Sequence, residues 1–261
     1  MEGIFMRKTS IIAPLGTSPP VITEFLQYVQ EAMFERVTDL TIIVTREPAV
    51  LEGKELVKAA VKHRYPMVHI HEEELPFTDI TSDEDHLEFM KICARILREQ
   101  REIHRAEKVY LCVAGGRKDM CITLSLLGQY FGVNGVFHVI MPEIKAYSAE
   151  LERVRYEISE LARAEDKERY YKEREEIFEK LMYPPAESYT VIRIPIIPTP
   201  QNIIFDVFKL LKARKVSRKD VELPLSFLKD LEASKIIKIT QNFIYTEEIG
   251  YNILKVLGEV I

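Results

Sequence analysis

The chain has 261 residues, 47% of them apolar and 30% charged, with a formal net charge of -5. That length holds one sizeable core and a smaller appendage, and the acidic balance excludes a blanket affinity for nucleic acid. Apolar runs such as residues 9–14 and 191–198 are too short to span a bilayer, and residues 1–8 lack the apolar stretch of a signal peptide. Cys93, Cys112 and Cys121 are odd in number and lie in apolar surroundings, which fits a reduced, cytoplasmic setting.

Strand and helix patterns alternate through the first two-thirds. A strand over residues 9–14 leads into a helix over 19–33 with Val21, Ile22, Phe25, Leu26 and Val29 on one face. A strand over 40–45 and a helix over 49–62 follow, then a strand over 67–71. Thr81-Ser82-Asp83-Glu84 is a capping box that opens a long helix reaching about residue 105. A strand over 109–113, a helix over 117–131 and a strand over 136–140 complete the repeat. Such alternation predicts an α/β fold, a mostly parallel sheet with helices on both faces.

Residues 148–182 are dense in both charge signs and hold no Pro, which predicts one long, largely solvated helix. A strand over 189–194 follows, and Pro195, Pro198 and Pro200 then punctuate the chain. We place a domain boundary there, with residues 1–197 forming the α/β unit and 198–261 a second, smaller one. In the latter, a helical face from Ile203 to Leu211 is followed by a cap at Ser217 and a helix over 225–234. A hairpin of 236–239 with 243–245 and a helix to residue 257, capped by Thr246, complete it. Helices, hairpin and final helix resemble a winged helix, but little room remains between Ser217 and Leu231 for two full helices.

Two loops carry the chemistry. Leu15-Gly16-Thr17-Ser18-Pro19-Pro20 follows the first strand, and Ala114-Gly115-Gly116-Arg117-Lys118-Asp119-Met120 follows the strand over 109–113. Ligands of parallel α/β sheets collect at the carboxyl ends of strands, where helix N-termini favour phosphate. Ser18 before Pro19 reads as an N-cap, or as a hydroxyl aimed at a bound phosphate from the same position. Gly16, Gly115 and Gly116 permit close backbone approach by a ligand. Arg117 and Lys118 oppose the dipole of the helix they open, which an anion in the site would relieve. Arg117 can fork around two oxygens and Lys118 can act as a point charge.

Other candidates are weaker. His69 and His71 alternate along a strand near its carboxyl end, with no third ligand at metal spacing, so no metal and no cofactor are expected. Arg98 and His104 match the loose spacing of HEPN ribonucleases but lie within an α/β helix pattern, where such short matches arise by chance. Walker A, G-x-G-x-x-G and G-x-S-x-G motifs are absent from the sequence.

Together, Leu15-Gly16-Thr17-Ser18-Pro19-Pro20-Val21-Ile22-Thr23-Glu24 and Ala114-Gly115-Gly116-Arg117-Lys118-Asp119-Met120 resemble the CRISPR-associated Rossmann-fold (CARF) family, as does the Asp79-Ile80 stretch. The resemblance runs over roughly residues 8–194. It implies a Rossmann-like fold and a homodimer that binds a cyclic oligoadenylate, cyclic tetra-adenylate above all, across its axis. The short tail is most similar to that of standalone ring nucleases, which cut the messenger to linear products ending in a 2′,3′-cyclic phosphate. Carried over by motif, Ser18 and Lys118 are the expected catalytic residues. Gly16, Thr17, Pro19, Gly115, Gly116, Arg117 and Asp119 are the expected ligand-binding ones. A messenger-responsive transcription regulator with a DNA-reading tail, and a sponge that binds without cutting, are the alternatives. Residues 201–261 carry 10 Lys plus Arg against 8 Asp plus Glu, a weak footprint for duplex DNA.

Overall fold

The computed structural model describes residues 8–142, 144–197 and 199–257. Pro198, one of the three boundary prolines, lies outside them, as do residues 1–7 and 258–261. Six strands form one sheet in the order β3-β2-β1-β4-β5-β6. They are β1 (Thr9–Pro14), β2 (Val37–Val44), β3 (His69–Glu74), β4 (Lys108–Cys112), β5 (Gly135–Ile140) and β6 (Thr190–Ile194). The first five are parallel and β6 joins antiparallel to β5. The expected Rossmann-like α/β architecture is therefore present. All six residues of β1 are buried, as a central strand covered on both faces requires.

Helices α1 (Pro20–Gln27), α2 (Pro48–Arg64), α3 (Asp83–Glu102) and α4 (Lys118–Tyr130) cover the sheet. The helix starts as expected, but its capping box lies one residue later than Thr81–Glu84: Ser82 accepts from the Asp85 N–H at 3.1 Å, and Asp85 accepts from the Thr81 N–H at 3.0 Å. The helix expected over residues 19–33 is α1 followed by a wider π turn over Tyr28–Ala32. Two strands differ from expectation because charge misled the pattern. β2 starts at Val37, since Thr38 and Asp39 satisfy each other and His71. β3 begins two residues late and runs on through three glutamates. Lys54 and Lys58 meet Glu72, Arg95 meets Glu73 and Arg46 meets Glu74. His71 thus stands near the amino end of its strand, not the carboxyl end.

The long solvated helix expected over 148–182 is not there. The segment folds as four short helices, α5 (Ile144–Arg153), α6 (Arg155–Arg163), α7 (Lys167–Glu173) and α8 (Glu175–Met182). Asp166 caps α7 through the Arg169 N–H, so the chain turns where a continuous helix was expected. Leu151, Val154, Ile158, Leu161, Tyr171, Phe178, Leu181 and Met182 are buried in the core shared with α1 and α2. The charges serve docking on α2: Lys167 reaches Glu55 at 2.6 Å, Glu168 pairs with Lys62 and Glu175 meets His63.

The tail comprises α9 (Gln201–Lys212), β7 (Lys215–Ser217), a 3-10 turn over Arg218–Asp220, α10 (Leu225–Ala233), the hairpin β8 (Ile237–Ile239) and β9 (Phe243–Thr246), and α11 (Glu248–Leu257). Its strands form a separate sheet, β7-β9-β8, over a core of Leu210, Leu211, Leu228, Leu231, Ile237 and Ile244. Thr246 does not cap α11; its hydroxyl donates to the Leu211 carbonyl at 3.0 Å. Ile204, Phe208, Val256 and Leu257 pack into the core beneath α3 and α4, joining the tail to the α/β unit. No helix among the described residues is long and apolar enough to cross a membrane.

Candidate functional site

Strand order reverses between β1 and β4, and that point is where ligands of open α/β sheets bind. The two loops singled out in the sequence leave the carboxyl ends of these strands and meet there. Their contact is backbone to backbone. A Cβ on Gly16 would stand 2.9 Å from the Gly116 nitrogen, and one on Gly115 would stand 2.4 Å from the Pro14 carbonyl oxygen. Gly116 has φ +79°, a conformation that favours glycine. Side chains are thereby excluded from the junction.

A cleft of about 160 Å³ opens over it, lined by Leu15, Gly16, Thr17, Thr45, Glu47, Val50, Gly116, Arg117 and Met120. A larger cleft of about 560 Å³ lies between α5 and α8, bordered by Tyr147 and Lys180, and its lining includes neither loop. We regard the smaller one as the site because it holds the converging backbone and Arg117, with Ser18 and Lys118 each one residue from its lining.

Ser18 does not cap α1. Pro19 takes the N-cap position, Pro20 opens the helix, and no side chain caps it. The Ser18 hydroxyl is therefore not committed to helix stability. Pro19 is buried against Gly53 of α2 and holds the loop in place. Thr17 is exposed at the mouth. Lys118 is exposed in the first turn of α4 and has no hydrogen-bond or ion-pair partner among the described residues. Asp119 follows it in the same turn. Arg117 is engaged: its Nη2 lies 2.8 Å from Asp79 Oδ2. The Asp79-Ile80 stretch thus holds the guanidinium at the rim.

Sequence reasoning missed four groups here. Glu47 and Thr45 enter the cleft from the β2–α2 connection, the neighbouring carboxyl end, which was a readable signal because it also precedes a helix. Tyr147 of α5 was not readable, because the segment was expected to be solvated. Its buried hydroxyl lies close to Ser18 without a hydrogen bond of good geometry. Glu24 of α1 is also buried, with both carboxylate oxygens unpartnered, and burial pushes its pKa up to about 7. Arg98 and His104 form no paired ribonuclease site. Arg98 lies along α3 toward Glu102, whereas His104 faces Asp39.

Residues 18–224 match the family of CRISPR-associated protein NE0113 (Cas_NE0113). The chain belongs to that family. This Cas_NE0113 member is 30% identical to the CRISPR system ring nuclease SSO2081 of Saccharolobus solfataricus over 135 residues, 50% of this chain and 70% of the relative. Among solved structures, Enterococcus italicus Csm6 bound to cyclic hexa-2′-fluoro-hexa-dAMP aligns with a TM-score of 0.49 at 15% identity. That alignment covers 88% of this chain, which spans 56% of the Csm6 chain.

Proposed function

We propose that this protein is a ring nuclease that binds a cyclic oligoadenylate, cyclic tetra-adenylate in the first instance, and opens it without a metal in the reaction. The observation that carries this reading is the glycine-built junction at the β1/β4 switch point, with the exposed Lys118 opening α4 two residues beyond Gly116. The family membership and the ring-nuclease relative support it.

An RNA phosphodiester brings its own nucleophile. The 2′-hydroxyl attacks the adjacent phosphorus, the bond to the 5′ oxygen breaks, and a 2′,3′-cyclic phosphate forms. The proton lost by the 2′-hydroxyl ends on the departing 5′ oxygen. In this mechanism, Lys118 stabilises charge on the phosphoryl oxygens and Ser18 orients them with the loop N–H groups. Arg117, held by Asp79, clamps a neighbouring phosphate. Glu47 is the carboxylate in the lining that can take the 2′-hydroxyl proton.

The cleft of one chain is far smaller than a four-nucleotide ring, so we assign half a ring to each of two chains around a two-fold axis. A surface for the second copy is available. Ile122 and Leu126 on the outer side of α4 are 62% and 52% exposed, and Ile194 and Ile196 border them.

The test is incubation of the protein with labelled cyclic tetra-adenylate in EDTA, followed by chromatography. Linear products ending in a 2′,3′-cyclic phosphate are expected. Tight binding with an intact ring would convert the reading to a sponge, and messenger-dependent duplex binding by the tail would favour a regulator.

A further inference from the structure

At the end of the sheet opposite the cleft, three side chains from three elements converge. Asp39 is the third residue of β2, His71 the third of β3, and His104 lies just beyond α3. The His71 Nε2 stands 2.8 Å from Asp39 Oδ1, and His104 Nδ1 stands 3.9 Å from the same oxygen. The two imidazole rings are 4.5 Å apart between centroids. One donor atom from each of the three residues falls within a sphere where all lie no more than 4.8 Å apart. We propose that Asp39, His71 and His104 form a binding site for one divalent transition-metal ion of the zinc type, separate from the messenger cleft.

Three features of the chemistry favour a cation there. Asp39 is buried and ion-pairs with no lysine or arginine among the described residues, so only the two imidazoles face its charge. Its other oxygen, Oδ2, accepts from the Thr38 hydroxyl at 2.7 Å, which fixes the carboxylate and leaves Oδ1 as the ligand atom. Two imidazole nitrogens and one carboxylate oxygen are a donor set that zinc accepts, with water at the remaining position. Metal–ligand bonds of about 2.0–2.2 Å would require the three donor atoms to draw together around the ion, a movement that falls to the two partly exposed rings.

The surroundings make the site stiff. Directly inward, Ser10 donates to Gln100 at 2.7 Å and Gln100 donates to Thr41 at 3.2 Å. That buried relay seats the end of α3 on β1 and β2, and so sets where His104 emerges. A bound ion would clamp β2, β3 and the α3–β4 connection at the amino ends of the strands. It would stabilise the fold without touching the reacting phosphate. The three ligands stand at positions 39, 71 and 104, which is why no local spacing in the sequence announced them.

The test uses tag-free full-length chain, stripped with a chelator and titrated with Zn²⁺ by calorimetry, with metal content measured after gel filtration. One zinc per chain and a raised Tm are expected for the native sequence. His104→Gln and His71→Gln change partly exposed rings and should fold. Each should weaken zinc binding by more than the ~10- to 100-fold typical of losing an outer-shell partner, and should abolish the Tm shift. Lys118→Ala should bind zinc like the native chain. Substoichiometric zinc, or equal affinity in the native chain and His104→Gln, would overturn the proposal and leave an Asp39–imidazole ion pair in its place.

Discussion

Ser18 and Glu24 show how the structure redistributes roles along a single loop and helix. A capping serine would cost about 1 kcal/mol on removal, but Ser18 makes no cap. Ser18→Ala is therefore expected to leave stability within about 0.5 kcal/mol of the native chain while slowing ring opening. Thermal unfolding and cleavage assays on the same variant check both halves. Glu24 behaves differently because its carboxyl is buried and unpartnered, with a pKa near 7 against an ordinary 4.5. Below pH 4.5 both folded and unfolded chains hold the proton. As pH rises from 4.5 toward 7 the unfolded state releases it first, so stability falls through that window. Above pH 7 the full penalty of roughly 3 kcal/mol applies, taking 1.36 kcal/mol per pKa unit. Glu24→Gln removes the titration. Urea unfolding should show the variant gaining on the native chain between pH 5 and pH 8, whereas a constant difference would show that Glu24 does not titrate there.

Among the elements, the charged segment of α5–α8 separates two kinds of stabilisation. Its ion pairs with α2 are partly or fully exposed, and each is worth between nothing and about 1 kcal/mol. Phe178 and Tyr171 are fully buried and stack with centroids 5.2 Å apart. Burial dominates. Phe178→Ala is expected to cost about 3–5 kcal/mol and Lys167→Ala less than about 1 kcal/mol, as read from denaturant midpoints. The same contrast explains what the sequence revealed. Apolar β1 and β4 were legible because both faces are buried, and the two glycine loops because close approach leaves few residue choices. The glutamate-rich end of β3 and the α5–α8 segment were not, because their charges are matched by residues distant in sequence. Tyr147 and Glu24 depend on that packing, so their proximity to the site was invisible for the same reason. The tail was legible as helices and a hairpin, but the three-residue strand β7 was too short for periodicity to register.

Phe208 and Leu257 join the core beneath α3 and α4, so the tail is structurally committed to the α/β unit. With a near-neutral charge balance and a three-residue 3-10 turn where a recognition-helix partner would stand, it is expected to bind duplex DNA weakly. Any such binding should vanish at physiological salt. Light scattering should give twice the chain mass at micromolar concentration, and Leu126→Glu should give a monomer with impaired ring binding. A monomeric native chain, with or without ligand, would remove the two-fold assignment. The most direct test of the central claim is at Lys118, with single-turnover cleavage and equilibrium binding of cyclic tetra-adenylate measured on the native chain and Lys118→Ala. An ammonium that acts on charge developing at phosphorus matters more in the transition state than in the bound ring. The account predicts a rate loss of ~100- to 1,000-fold with a much smaller loss of affinity. Equal losses in the two quantities would reduce Lys118 to a phosphate anchor, and undiminished cleavage would contradict the account.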